Sequence, residues 1–239
     1  MWILTLIMAA LFASSAFAGS RPWFTLDRLT RDNVLNASLG VLLLFTILMV
    51  AYITGFFPQS IAAPFMMGVY SLIAGFFAGY ALRMVRHRTT SGDILYQHRS
   101  FWIDHAPNLF AVMLIIYGIY RTAILTGLPV TGIRITSGIS LICFGLFTWT
   151  LKAVPEFRSK GILLLDRFIP WKEVLSWSWY SENVVAIEYI TPKKRHNERI
   201  RQFATSVPED ERKEIEMVLS SKLEEFDEER KKVLFGDDD

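Results

Sequence analysis

A single cysteine in 239 residues removes two classes of architecture at once. Cys143 alone closes no intrachain disulfide and builds no cysteine-based metal cluster. Acidic residues are almost missing from the first part of the chain. Of 23 in the sequence, only Asp27, Asp32, Asp93 and Asp104 precede Lys152. The long apolar runs contain neither carboxylates nor histidine, whereas proton-coupled transport normally uses such a relay inside its spans. A nucleophile triad, a Gly-rich phosphate loop and a compact metal-ligand motif are also lacking. The expectation is therefore a protein that is not an enzyme, with no cofactor and no metal. The formal charge of +2 says nothing by itself, because it averages two unlike parts. Residues 1–152 hold 10 basic and 4 acidic residues, so 15 of 25 basic and 19 of 23 acidic residues follow them. A basic apolar part followed by a mixed-charge part reads as a membrane domain, 1–152, and a soluble module, 153–235, with an acidic tail at 236–239.

What is present is apolar length. Val34 to Arg83 forms two runs hinged on Pro58-Gln59-Ser60, the pattern of a membrane hairpin. The first run, about 34–57, holds some 24 residues and reaches about 36 Å as a helix, enough to cross with tilt. Pro58 ends it because proline cannot continue the hydrogen-bond ladder. The second run, 61–83, carries Gly75-Phe-Phe-Ala-Gly79, a small-xxx-small face that lets another helix approach closely, expected within the bundle. Further helices are expected at about 107–127 and 133–151, with a polar loop at 83–106. Residues 2–18 end in Ala16-Phe17-Ala18-Gly19, which imitates a signal-peptidase site. The basic flank follows the run, at Arg21, Arg28 and Arg31, where a cleaved signal would leave it outside. A retained helix is the expectation; cleavage would leave four spans.

Orientation follows from the loops. The segments 19–33 and 83–106 carry arginines, while the turns 58–60 and 128–132 carry none. Alternate basic loops face the cytoplasm, so five spans put the N-terminus outside and the module inside. Trp23, Trp102 and Trp149 then fall at the inner interface and Trp2 at the outer one, where indole is favoured.

After Pro155 the pattern changes to short strands. Gly161–Asp166, Leu175–Tyr180, Val184–Ile190 and Arg199–Val207 are rich in β-formers, and Ser181-Glu182-Asn183 suits a hairpin turn. A helix is expected with Ser206 as N-cap, Glu209 completing a capping box, and an apolar face at Ile215, Val218, Leu219, Leu223 and Phe226. The expected core includes Ile162, Leu164, Trp177, Ile187, Ile215 and Leu219. Gly161-Ile162, Ile169-Pro170-Trp171-Lys172-Glu173-Val174 and Trp177-Ser178-Trp179, ahead of a single capped helix, resemble the small PH-like domain of uncharacterised bacterial membrane proteins. The likeness is to the bacterial PH and YcxB-like groups and covers about residues 156–223. It implies a cytoplasmic α+β PH-like module following transmembrane helices in a bacterial inner membrane, and no particular activity.

Four groups of candidate residues stand out. Arg121 lies inside the outer end of the fourth helix and Arg134 opens the fifth; together they can hold an anionic headgroup or phosphate, or merely snorkel. Lys193, Lys194 and Arg195 form a basic cluster between two strands, suited to anionic lipid of the inner leaflet or to a hairpin tip in water. Trp177 and Trp179 share one strand face, a core position or a partner face. His87, His98 and His105, with Asp93 and Asp104, share one loop, but their spacing fits no compact ligand motif and reads as a solvated loop. The expected partners are the lipid bilayer, a protein in a membrane complex and an anionic lipid. Nucleic acid is excluded by the net acidic module and its short basic run.

Overall fold

The computed structural model describes residues 2–26, 30–98, 101–151, 154–191 and 199–235. Five helices come first: α1 (Trp2–Ser20), α2 (Arg31–Ile53), α3 (Gln59–Thr90), α4 (Phe101–Arg121) and α5 (Gly132–Thr150). Among the described residues α1, α2, α3 and α5 are long and apolar enough to cross a membrane, by length and composition. The chain divides into two compact units, residues 1–85 with 105–151, and residues 86–104 with 152–239.

Within the first unit the helices meet at small residues. A Cβ added at Gly75 or Gly79 would overlap the backbone carbonyl of Phe12 or Ala16, and one added at Gly19 would overlap that of Phe76. Only glycine permits this approach, so the small-residue face of α3 is used inside the chain, against α1. Ser15 donates across the same seam to the carbonyl of Leu72 at 2.6 Å. Contacts 12 with 75 and 16 with 79 rise together, so α1 and α3 run parallel. The α4–α5 seam is built likewise, but antiparallel. Gly138 faces Gly118 and Thr122, while Gly145 faces Ala111 and Ile115. Aromatic rings join α3 to α5, with Phe77 on Phe144 at 4.7 Å and Tyr80 on Phe147 at 4.9 Å. The buried Arg83 donates to the carbonyls of Arg21 and Phe24, just past the end of α1, where a cation complements the helix dipole.

The second unit holds two antiparallel sheets. One runs in the order β1-β2-β3-β4 (Ile94–Tyr96, Glu156–Arg158, Gly161–Leu164, Arg167–Pro170). The other is β5-β6-β7 (Val174–Ser181, Val184–Thr191, Arg199–Ser206). Helices α6 (Arg212–Glu225) and α7 (Asp227–Phe235) follow. Both sheets and α6 enclose one core around Phe157, Ile162, Trp171, Ile187, Ile215 and Leu219. Of the expected core, Ile162, Ile187, Ile215 and Leu219 are buried; Leu164 and Trp177 are half-buried.

Two local expectations are corrected. The segment expected to be a polar loop holds β1, because α3 runs on to Thr90 and Ile94-Leu95-Tyr96 then pairs with β2. The capping box at Ser206 and Glu209 does not form. Ser206 stays in β7 opposite Val184, a 3-10 turn covers Glu209–Glu211, and α6 opens only at Arg212. Pairing continues past Ser206, since Val207 N–H donates to the Asn183 carbonyl and Pro208 stays extended, so no helical turn follows Ser206 for it to cap.

Candidate functional site

The densest polar construction in the second unit lies where β1, β2 and the start of α6 meet. Glu156 and Arg158 alternate along β2 and form a buried ion pair, with Arg158 Nε donating at 2.9 Å. Neither charge faces water, so each needs the other plus hydrogen bonds. The guanidinium also donates to the carbonyls of Arg88 (3.1 Å) and Gly92 (2.9 Å). Trp171, fully buried, donates Nε1–H to the Arg158 carbonyl at 2.8 Å and stacks on Phe157. One strand apart, the Tyr96 hydroxyl donates to Glu211 at 2.6 Å, and His98 Nδ1 lies 3.1 Å from the same carboxylate oxygen. Burial and the acidic neighbourhood of Glu211 push the Tyr96 hydroxyl far up, so it stays protonated as a donor. Among the described residues no cluster of three or more His, Cys, Asp or Glu is placed to hold a metal. Chemically the corner can fasten one segment to another.

The same unit accounts for the tryptophans. Trp177 and Trp179 stand edge to face at 6.4 Å and pack against the core. Trp179 donates to Glu216 of α6 at 2.7 Å, and Arg212 of α6 lies over its ring at 4.4 Å. The face read as a partner surface is thus covered at Trp179 by this chain's own helix. Residues 153–224 match the family model DUF5673, a domain of unknown function. No curated protein and no solved structure matches the chain. The DUF5673 segment takes in β2 to β7 and nearly all of α6, but not β1.

The remaining sequence candidates scatter. Arg121 ends α4, half-buried, with no side-chain hydrogen bond or ion pair among the described residues. Arg134 donates to the Pro129 carbonyl at 3.1 Å, inside its own turn. Lys193, Lys194 and Arg195 lie outside the described residues. His98, read as part of a solvated loop, instead meets Glu211. Sequence reading missed Tyr96, Glu156, Arg158 and Glu211, since their partners lie 2 to 115 positions away and nothing in the sequence links the distant ones.

Proposed function

We propose that the chain is a five-span protein of the bacterial inner membrane, N-terminus outside, whose cytoplasmic PH-like module binds a protein partner or the inner leaflet without catalysing a reaction. The observation that carries the five-span form is the direction of helix packing. α1 runs parallel to α3, α3 contacts α5 through 67 with 132 and 77 with 144, again in parallel, and α4 runs antiparallel to α5. A chain whose third and fifth helices run the same way must return between them, and α4 is the helix there. Its stretch from Ala106 to Tyr120 has no charged residue. The seam of Gly75 and Gly79 on α1 supports a retained first helix. The PH-like reading is supported by four strands plus three strands with a helix behind them, a count that includes β1. The binding role rests on a filled core with a basic run, Lys193 to Arg195, between two strands.

The test uses full-length protein in nanodiscs, with Cys143→Ser and Asn197→Cys. Anionic lipid should slow labelling at 197 by a water-soluble maleimide, and neutral lipid should not. Raising salt to 1 M, where the Debye length is about 3 Å, should restore the rate. Changing Lys193, Lys194 and Arg195 to Ser should remove the difference. Equal rates in both lipids reject leaflet docking and leave the protein partner.

One observation favours a second reading, an accessory subunit of a membrane complex. None of the described residues of α2 is buried, and α2 borders an open apolar groove of about 470 Å³ lined by Leu42, Phe45, Met49, Tyr52, Phe57 and Met66. A photo-crosslinker at Leu43 that captures only lipid rejects this reading; one that captures a single protein in stoichiometric amount supports it.

A further inference from the structure

We propose that the module is a discontinuous domain: the DUF5673 segment is an acceptor, and Arg88–His98, which runs from the last turn of α3 through β1, is the segment it accepts. The inference is independent of which partner or leaflet the module binds. It rests on contacts of four kinds along one short stretch. The backbone pairs, Ile94 opposite Arg158 and Tyr96 opposite Phe157, with further bonds from Ser159 N–H to the Asp93 carbonyl (2.9 Å) and from Lys160 N–H to that of Ser91 (3.2 Å). The buried guanidinium of Arg158 donates to the Arg88 and Gly92 carbonyls, which only this segment supplies. The Tyr96 ring fills the core, 5% exposed and 5.7 Å from Phe157. At the far end Tyr96 and His98 both engage Glu211, which fixes where the strand stops.

The acceptor is incomplete by the physics of its own residues. All three residues of β2 are buried, so removing β1 opens a strand edge and exposes Phe157. It also leaves a charged, desolvated Arg158 with two donors unanswered, the costly way to break a buried network. The occupant is specified as closely as the site. Gly92 sits at φ +81° against the Ser159 side chain, a conformation and a closeness that other residues resist. The fitting segment is therefore an extended strand with glycine, then two apolar residues, an aromatic hydroxyl and a histidine. This is strand addition in which the added strand comes from the same chain. One consequence is mechanical. The borders of the second unit fall inside α3, inside α4 and after Leu151, so the module joins the helices through three covalent links rather than one tether.

The test is hydrogen exchange on the full-length protein in detergent. Replacing Asp93–His98 by a Gly-Ser run of equal length should speed exchange at 156–164 about tenfold or more, while α1, α3 before residue 85, and α5 change little. A synthetic peptide of residues 88–98 should then restore protection at 156–164. Tyr96→Phe, which keeps the ring and removes only the hydroxyl, should give about a threefold rise near 156–164 and the start of α6, and keeps the test decisive if the replaced chain does not fold. Unchanged protection at 156–164 in these variants overturns the proposal. So does a loss that the peptide cannot restore, because the segment would then not be a ligand of the acceptor.

Discussion

In the helical unit the seams between elements are made by residues with little or no side chain; in the module the core is made by the largest side chains. Gly75, Gly79 and Gly19 bring backbone against backbone, and Gly118, Gly138 and Gly145 repeat the device. The module instead closes around Trp171, Phe157, Ile187 and Leu219, all 1% exposed or less. The difference is the one the proposed membrane reading calls for, with the apolar helices in lipid and the module in water. In hydrocarbon a large apolar side chain gains nothing by leaving the lipid, so close packing and interhelical hydrogen bonds such as Ser15 to Leu72 supply the cohesion. In water, burying area is itself the driving force. The same contrast explains why exposed Leu, Ile and Phe crowd α2 while the module shows few, Tyr180, Ile200 and Met217 among them.

Mutations can break this contrast from either side. Trp171→Ala should have the largest effect, about 3–5 kcal/mol off the module's stability, through the lost indole and its hydrogen bond to the Arg158 carbonyl. Urea melting of the full-length protein, followed by exchange in β3 and β6, reads it, and α1–α3 contacts should persist. Gly79→Leu should act on the other unit, by about 1–3 kcal/mol or more, since its side chain meets the Ala16 backbone, which cannot move aside. Disulfide trapping between cysteines placed at 15 and 72, with Cys143→Ala, should fall while the module's melt stays put. Trp179→Phe keeps most of the apolar area but removes the hydrogen bond to Glu216 and weakens the Arg212 contact. A loss of about 1 kcal/mol is expected, measured by the same melt.

The smallest effect concerns Glu173. Burial raises its carboxyl above the usual range, opposed by Arg167 and Lys172. A raised folded-state value means that ionisation costs stability as pH rises from the ordinary carboxylate range through the folded value. Glu173→Gln should therefore melt slightly higher than the wild type at neutral pH, and the gap should close as pH falls below that range. A gap that widens in acid would mean that Arg167 and Lys172 outweigh burial.

The apolar runs, the glycine face, the hairpin at 181–183 and the apolar face of α6 were legible in the sequence because each is a local pattern. Gly75 and Gly79 are four apart on one helix face, and Ile215 and Leu219 likewise. Helix four was expected to run to about residue 127, yet α4 stops at Arg121, where Ala123 takes a positive φ before Gly127 and Pro129 are reached. What escaped was nonlocal. Ile94-Leu95-Tyr96 is too short to announce a strand among histidines and arginines, and its partner comes after two more helices. The strand Glu156–Arg158 was not expected, because two charges around one Phe give no sign of burial; β1 pairs with it and Trp171 packs on Phe157. The tryptophan pair was legible as sharing a face but not as lying under α6, because that depends on where the helix returns.

The register of β1 also sets a clock. Ile94 leaves the ribosome roughly 60 residues before Arg158, and at about 5–20 residues per second the interval is roughly 3–12 s. Throughout it Ile94, Leu95 and Tyr96 have no sheet to join, while α4 and α5 are still being made. The time needed to complete α5 is thus the time during which this strand is open to pairing with a neighbouring nascent chain.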